Sequence, residues 1–131
     1  MSVSLVALFL VPHAATTSIT VLQPAPAPLV SLETLIREAF PYDANTMLQI
    51  AICESGMKQF KDNSNEVVQG PTQDYGLFQI HYTNIPKAKE LGYDVMTTEG
   101  NIKMAQYLYK HGGKNHWVCY THGMLRPLKG G

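Results

Sequence analysis

Two stretches decide the fold of this chain: IAICESG at residues 50–56 and QDYGLFQI at residues 73–80. The first is an apolar run that delivers one acid, Glu54, and the second contains another acid, Asp74, beyond a polar segment. We expect Glu54 at the end of a buried helix and Asp74 at the start of an extended segment. Two carboxyl groups in such unlike environments are what acid-catalysed cleavage of a glycosidic bond requires.

Length and charge limit what else the chain can be. It has 131 residues, a formal net charge of zero, and only 15% charged residues. The first thirty or so residues look unlike the rest, which leaves one small domain of about 100 residues. A neutral chain offers no broad positive surface to phosphate backbones or anionic membranes, so we expect no nucleic-acid partner.

An apolar segment and a proline-rich spacer precede this domain. Residues 3–11 are mostly apolar but too few to span a bilayer as a helix, and small residues follow at Ala14 and Ala15. We interpret residues 1–22 as a partial secretory signal, although no Lys or Arg precedes it; a frayed apolar N-terminus is the alternative. Residues 23–30 alternate proline with small residues, which favours an extended linker. We therefore expect a secreted or cell-envelope protein, or a virion-associated one if a phage encodes it, without a stable membrane span.

A mostly helical domain is predicted for residues 31–123. Ser31 is a good N-cap for a first helix. A second helix has Asp43 or Asn45 as its candidate cap and Gly56 as its end. Apolar side chains cover most of the circumference of this second helix, which indicates burial.

A loop or small hairpin is predicted for residues 58–82, which are polar and rich in turn residues. Two further helices follow, a short one that opens near Pro86 and a longer one that begins at Thr97 or Thr98. Residues 124–131 contain Gly and Pro and are predicted to form a flexible tail. The predicted fold is therefore mostly α, of the α+β class, with a helical lobe and a loop or hairpin lobe on either side of a cleft.

Glu54 is a candidate general acid because of its position. A carboxyl group among apolar side chains loses hydration when it is charged, which raises its pKa, and the carbonyl end of its own helix acts in the same direction. Such a group holds its proton near neutrality and can give it to a leaving oxygen. An ordinary helix-end glutamate in solvent is the alternative that position alone leaves open.

Cys53 and Cys119 are the only cysteines in the chain. An even number in a short, exported chain suggests a disulfide, which would stabilise the fold by about 3 to 4 kcal/mol in the loop-entropy model. Two unpaired thiols in the core are one alternative. A zinc site built from His116, Cys119 and His122 is another, with Cys53 as its only available fourth ligand.

Two motifs around the acids resemble those of the lysozyme-like superfamily. Residues 53–56, Cys-Glu-Ser-Gly, resemble the catalytic-glutamate motif of soluble lytic transglycosylases and resuscitation-promoting factors. Residues 75–80, Tyr-Gly-Leu-Phe-Gln-Ile, resemble the second motif of those families. With Asp74 in front, they are similar to the Asp-Tyr-Gly-x-x-Gln-Ile segment of animal-type lysozymes.

Two later motifs extend the resemblance to residues 43–120. Residues 101–108 carry Asn-Ile and then a Tyr-Leu pair, as the transglycosylase helix does. Residues 116–119, His-Trp-Val-Cys, are similar to the Trp-x-x-Cys ending of the resuscitation factors. In those proteins the cysteine pairs with the one that precedes the glutamate, so the resemblance implies a bond between Cys53 and Cys119 and a lysozyme-like fold.

The resemblance also implies roles for individual residues. Glu54 would act as acid and then as base on the β-1,4 bond between N-acetylmuramic acid and N-acetylglucosamine in peptidoglycan, with no metal or organic cofactor. The transglycosylase motif Ala-Tyr-Asn-Ala-Gly is reduced here to Tyr-Thr-His-Gly, from which only the tyrosine carries over. The residues implied to contact the sugar strand are Ser55, Tyr75, Gln79, Trp117 and Tyr120.

The role of Asp74 depends on the reaction. In a hydrolytic lysozyme it would be the second catalytic acid. A lytic transglycosylase needs no second carboxylate, because the N-acetyl group and 6-hydroxyl of the sugar complete the reaction and release a 1,6-anhydro product. We expect cleavage of the transglycosylase type, because the motifs that match transglycosylases cover more of the chain than the Asp74 segment that favours hydrolysis. We also expect a monomer. Hydrolysis with Glu54 and Asp74 is the alternative, and a non-catalytic peptidoglycan-binding domain is the alternative from another class.

Overall fold

The computed structural model describes residues 2–130, so the first residue of the predicted signal segment and the last residue of the predicted tail lie outside the described residues. Residues 2–30 contain no helix or strand and are exposed along their whole length. From Ser31 onward the chain is mostly helical with a small antiparallel sheet, which confirms the predicted α+β class. No helix among residues 2–130 is long and apolar enough to cross a membrane.

The folded part follows the predicted order of elements. Its helices and strands are α1 Leu32–Ala39, α2 Ala44–Ser55, β1 Asp74–Tyr75, β2 Ile80–His81, α3 Ile85–Glu90, α4 Thr98–Lys110 and α5 Val118–Thr121. Two 3-10 helices, Tyr82–Asn84 and Gly113–His116, lead into α3 and α5. The strands form a hairpin in which Asp74 pairs with His81 and Tyr75 pairs with Ile80. Within the predicted loop or hairpin of residues 58–82, the regular pairing therefore lies at the C-terminal end.

Side-chain caps fix the start of two helices where the sequence predicts them. The hydroxyl oxygen of Ser31 accepts the N–H of Thr34 at 3.1 Å at the start of α1. The hydroxyl oxygen of Thr97 accepts the N–H of Gly100 at 3.0 Å at the start of α4. Each bond satisfies one of the N–H groups that a helix leaves unpaired in its first turn.

Asp43 occupies the N-cap position of α2 but makes no capping bond. Its carboxylate instead accepts hydrogen bonds from the Tyr109 hydroxyl on α4 and from Lys114 Nζ, the latter at 3.2 Å. These two bonds hold the pKa of Asp43 below its usual value. Because the folded pKa is lowered, the stabilisation is present above a pH of about 4 and is lost as the pH falls through the folded pKa. The bonds tie the α1–α2 turn to α4 and to the segment before α5.

An aromatic cluster lies in the core between α1, the hairpin and the segment before α5. Phe78 packs against Phe40 with ring centroids 5.6 Å apart and against Trp117 with centroids 5.9 Å apart. The indole N–H of Trp117 donates to the carbonyl oxygen of Phe78 at 2.9 Å. The apolar circumference of α2 predicts burial, but Ile52 is an exception: its exposed fraction is 48%, because it faces a groove between α2 and the C-terminal segment.

The segment predicted as a flexible tail returns to the folded part. Residues 124–130 contain no helix or strand, yet Leu125 and Leu128 are half-buried against the core. The side-chain amide of Gln49 on α2 donates to the carbonyl oxygen of Arg126 at 2.8 Å. These contacts join residues far apart in the sequence, so the local pattern of Gly and Pro does not indicate them.

Two buried side-chain amides, which we call the amide latch, hold the turn of the hairpin. Asn101 on α4 accepts the N–H of Phe78 at 2.9 Å and donates to the carbonyl oxygen of Tyr75 at 2.8 Å. Gln59, in the loop after α2, accepts the N–H of Leu77 at 2.8 Å. So short a hairpin has few backbone hydrogen bonds between its strands, and the side-chain bonds of the latch take their place.

Gly76 lies in this turn and has two reasons to be glycine. Its φ is +76°, in the left-handed region that disfavours other residues. A Cβ at this position would also overlap the Asn101 amide nitrogen and the Gln59 amide oxygen. Gly92 has a similar φ of +78° but open space around its Cα.

We predict that Gly76→Ala destabilises the fold much more than the matched control Gly92→Ala. The control should cost about 1–2 kcal/mol of unfolding free energy, from left-handed backbone alone. Overpacking against the latch adds about 1–3 kcal/mol for Gly76→Ala. Urea denaturation followed by circular dichroism measures both variants, and equal losses would show that the latch does not crowd Gly76.

Candidate active site

Glu54 lies in the last turn of α2, half-buried at the carbonyl end of the helix. No basic residue occupies that turn to balance the partial negative charge of the helix end. Burial raises the pKa of Glu54, because desolvation disfavours the charged carboxylate. The predicted environment for Glu54 is thus the one that the structure gives it.

A hydrogen bond from α5 opposes part of this effect. The backbone N–H of Cys119 donates to Oε1 of Glu54 at 3.1 Å, and this bond lowers the pKa of the carboxyl. The neighbouring residue on α2, Cys53, forms a disulfide with Cys119, with an S–S distance of 2.13 Å. The structure confirms the predicted disulfide, which fastens α5 beside the acid.

Asp74 shares a cavity with Glu54. The cavity has a volume of about 250 Å³, and both residues line it. The charge of Asp74 adds to the effect of burial and further raises the pKa of Glu54. The hydroxyl of Thr72 donates to the Asp74 carboxylate at the edge of the hairpin. The two acids that the sequence singles out are therefore brought together.

The hairpin, α4 and the segment before α5 form the other walls of the cavity. Gln79, Ile80 and His81 come from the hairpin, and Leu108 comes from α4. His116, Trp117 and Val118 close the side next to Cys119, and Asn84 completes the lining. The surroundings of the two acids are therefore partly apolar. The polar groups among them include the Gln79 amide and the His81 imidazole on the hairpin and the His116 imidazole before α5.

Gln79 is the predicted sugar contact that the cavity best supports. It lines the cavity, and its φ of +48° places a non-glycine residue in the left-handed region. Its side-chain nitrogen donates to the carbonyl oxygen of Gly76 at 2.9 Å, which fixes the amide inside its own turn. Strained residues that a surrounding structure holds in place are frequent at functional sites.

Ser55 has a packing role in the structure. Its hydroxyl donates to the carbonyl oxygen of Leu77 at 2.7 Å and accepts the N–H of Lys58 at 3.1 Å. It does not line the cavity. The hydroxyl therefore fastens the end of α2 to the hairpin, and its predicted bond to the sugar has no support from this arrangement.

The three predicted aromatic contacts lie in different places. Trp117 lines the cavity but is only 3% exposed, and its indole N–H is engaged within the core. Tyr75 is half-buried, and Tyr120 is 37% exposed with Lys114 Nζ at 5.4 Å from its ring centroid. Neither tyrosine lines the cavity, so their contacts with a sugar strand stay predictions for positions outside it.

Sequence reasoning missed the two histidines of the cavity. The sequence patterns assign no role to His81, and they make His116 a candidate only for zinc, apart from its place at the start of the fourth motif. His81 follows directly after the second motif on β2, and His116 precedes Trp117, so adjacency to the motifs was the available signal. The nitrogen Nδ1 of His81 is within 2.8 Å of the Thr83 hydroxyl, which leaves Nε2 as the free ring nitrogen.

The disulfide removes the alternative in which Cys119 binds zinc, because neither sulfur is a free thiolate. Among residues 2–130, no group of three His, Cys, Asp or Glu side chains is arranged to hold a metal ion.

The chain matches no protein-family model, no curated protein and no solved structure. What the site can do therefore follows from its own contacts.

We predict that Glu54→Gln stabilises the protein at neutral pH. Glu54 holds its proton to a higher pH in the folded chain than in the unfolded chain, so folding loses stability as the pH rises from about 4.3 through the folded pKa. The amide keeps the shape and carries no charge. Its advantage over wild type should be near zero at pH 3 and should grow to a plateau above the folded pKa.

Thermal unfolding at a series of pH values measures this difference. Glu38→Gln, an equivalent change at an exposed position of α1, is the control and should show no such trend. A variant Glu54→Gln that is less stable than wild type at pH 7 would mean that the ionised carboxylate is favourable in the fold.

Proposed function

We propose that this chain cleaves the glycan strands of peptidoglycan, as lytic transglycosylases do, with Glu54 as the general acid and then the general base. The observation that carries the proposal is the placement of Glu54, half-buried at the carbonyl end of α2 on a cavity that it shares with Asp74. Burial and the charge of Asp74 both raise the pKa of Glu54. A carboxyl with a raised pKa keeps its proton to a higher pH, which favours the role of general acid.

The four motifs that resemble the lysozyme-like superfamily are joined at this cavity, which supports a lysozyme-like fold as part of the proposal. Glu54 ends α2, and the hairpin of residues 74–81 forms one wall. Asn101, from the third motif, holds the turn of that hairpin. The fourth motif places Trp117 on the cavity and bonds Cys119 to the residue before the acid.

In the proposed reaction Glu54 gives its proton to the glycosidic oxygen. The bond between that oxygen and the anomeric carbon breaks, and its electron pair stays with the oxygen. The N-acetyl oxygen of the same sugar stabilises the positive charge at the anomeric carbon. The Glu54 carboxylate then takes the proton of the 6-hydroxyl, whose oxygen bonds to the anomeric carbon to give the 1,6-anhydro sugar. Asp74 contributes by keeping the pKa of Glu54 high.

Hydrolysis is the second candidate, because Asp74 lines the same cavity as Glu54. In a retaining hydrolase the second carboxylate lies about 5 to 5.5 Å from the acid and attacks or stabilises the anomeric carbon. Lysozyme is the type case of this arrangement. Water then releases a sugar with a free reducing end. The two candidates share the acid and differ in the group that attacks the anomeric carbon.

Location and state of assembly belong to the same proposal. Disulfides persist outside the cytoplasm, and the bond between Cys53 and Cys119 is compatible with a secreted, cell-envelope or virion-associated protein. A monomer that binds the strand in its cavity suffices for the chemistry, with no metal or organic cofactor.

We predict that Glu54→Gln loses about 10²- to 10⁴-fold in turnover, because the amide has no proton to give. The loss of turbidity of a cell-wall suspension measures turnover, and Glu38→Gln should match wild type. Retention of more than about a tenth of the activity, against that expected loss, would mean that Glu54 is not the acid.

Wall sedimentation in the same suspensions separates enzyme from binding domain. Both wild type and Glu54→Gln should sediment with the wall, while only wild type clears it. Sedimentation of both proteins without clearing by either would favour the non-catalytic binding domain.

We predict that mass spectrometry of the products finds 1,6-anhydro-muramic acid ends, because intramolecular attack by the 6-hydroxyl needs no second carboxylate. Asp74→Asn should then lower turnover, because Glu54 without the neighbouring charge has a lower pKa and a smaller protonated fraction near neutral pH, and it should leave the product unchanged. Reducing ends alone from wild type, together with inactive Asp74→Asn, would establish hydrolysis instead.

A further inference from the structure

Two links join the last turn of α2 to α5 at the proposed acid. One is the covalent bond between Cys53 and Cys119, which spans 66 positions of the sequence. The other is the hydrogen bond from the N–H of Cys119 to Oε1 of Glu54, at 3.1 Å. The cysteine that is anchored beside Glu54 by its sulfur thus also presents its backbone N–H to the carboxyl.

The N–H of Cys119 is available because of its place in the chain. It lies in the first turn of α5, where no carbonyl group of the same helix can accept it. The next N–H along, that of Tyr120, is turned to the carbonyl oxygen of Trp117 at 3.1 Å. The carboxyl of Glu54 is the acceptor that satisfies Cys119, so the bond serves the fold as well as the acid.

We propose that the backbone N–H of Cys119 is a positioning group for proton transfer, an inference that rests on the proposed function of Glu54. By occupying Oε1 it favours the transferable proton on Oε2. When the O–H bond of Glu54 breaks, its electron pair stays on the carboxyl while the proton goes to the glycosidic oxygen. A hydrogen bond to the carboxylate formed in this way is stronger than one to the neutral acid.

The bond therefore stabilises the transition state more than the ground state, which is the condition for a faster chemical step. Burial and the charge of Asp74 favour the protonated form of Glu54, since both raise its pKa. The Cys119 N–H acts in the opposite direction and eases the departure of the proton.

A titration of the oxidised, full-length protein by nuclear magnetic resonance tests the contact directly. The amide proton of Cys119 should shift with the same midpoint as the side-chain carboxyl carbon of Glu54, and Glu54→Gln should abolish the shift. The amide of Tyr120 is the matched control.

Other titratable groups line the cavity, namely Asp74 on β1, His81 on β2 and His116 in the 3-10 helix. A Cys119 shift that persists in Glu54→Gln would belong to one of them and would overturn the proposal.

Replacing the amide by an ester tests the role in catalysis. Cys53→Ala/Cys119→Ala keeps the N–H without the disulfide, and incorporation of lactic acid at position 119 in the Cys53→Ala background replaces that N–H with an ester oxygen. The ester also weakens the Val118 carbonyl, which accepts the N–H of His122 at 2.9 Å, so lactic acid at position 122, which removes the donor of that bond, is the matched control. The ester should lower kcat about ten- to a hundredfold relative to the double variant, as for a lost bond to a charged group. KM should not change, and the alkaline limb of the pH–rate profile should move to higher pH.

The positioning role would be overturned if the ester variant had the same kcat and the same alkaline limb of the pH–rate profile as the double variant. If the double variant does not fold, the titration of the wild-type protein decides. The outcomes also separate this role from the proposed function. If cleavage depends on Glu54 but the Cys119 amide proton does not shift when Glu54 ionises, only the positioning role is refuted. A wild type that cleaves nothing would remove the proposed function whatever the amide does.

Discussion

The amide latch is the constraint on which the cavity depends. Strands of two residues each cannot hold a hairpin by their own ladder, and isolated hairpins are marginal in water even when longer. Asn101 and Gln59 are 0% and 2% exposed, so their amides are favourable only because they are paired. Both also donate to the carbonyl oxygen of Val95, at 3.0 and 3.1 Å. One buried set of bonds thus fixes the hairpin against α4 and the loop after α2, and loss of a partner leaves a buried group that costs about 1–3 kcal/mol.

Because the hairpin is fixed in this way, the position of Asp74 relative to Glu54 is a property of the core and not of a surface loop. Asp74 begins β1 directly before the turn that the latch holds. The charge of Asp74 is unfavourable for the ionised form of Glu54 in the folded chain, since it raises the pKa of that carboxyl. The core, the disulfide and the hydrogen bond from Cys119 offset that cost. A destabilising acid pair inside an otherwise satisfied structure is typical of a site kept for its chemistry.

The parts of this structure that depend on local chemistry were predictable from the sequence. Ser31 and Thr97 cap helices because of their hydroxyl groups, and Gly56 ends α2 in a left-handed conformation. The disulfide was suggested by the cysteine count and implied by the resemblance to known motifs, and the pairing of Glu54 with Asp74 was suggested by two acids in unlike environments and by the similarity to animal-type lysozymes. Ser55 shows why a motif does not fix a role: the residue sits where the resemblance puts it, but its hydroxyl is taken up by the carbonyl oxygen of Leu77.

The parts that were missed depend on packing between distant residues. Ile52 belongs to an apolar run, yet it is exposed because the C-terminal segment leaves a groove beside it. Asp43 has the right chemistry for a cap, but stronger partners, Tyr109 and Lys114, compete for its carboxylate. No periodicity in the sequence reports such competition.

The acid is itself a product of long-range packing. Glu54 in the unfolded chain is a carboxyl with an ordinary pKa, and every influence that changes it comes from folding: burial at the end of α2, the charge of Asp74 across the hairpin, and the N–H of Cys119. The contact with Cys119 joins residues 65 positions apart, beside a disulfide that closes the same loop. The environment of Glu54 is therefore present only in the folded chain, where the latch holds the hairpin and α5 lies against the end of α2.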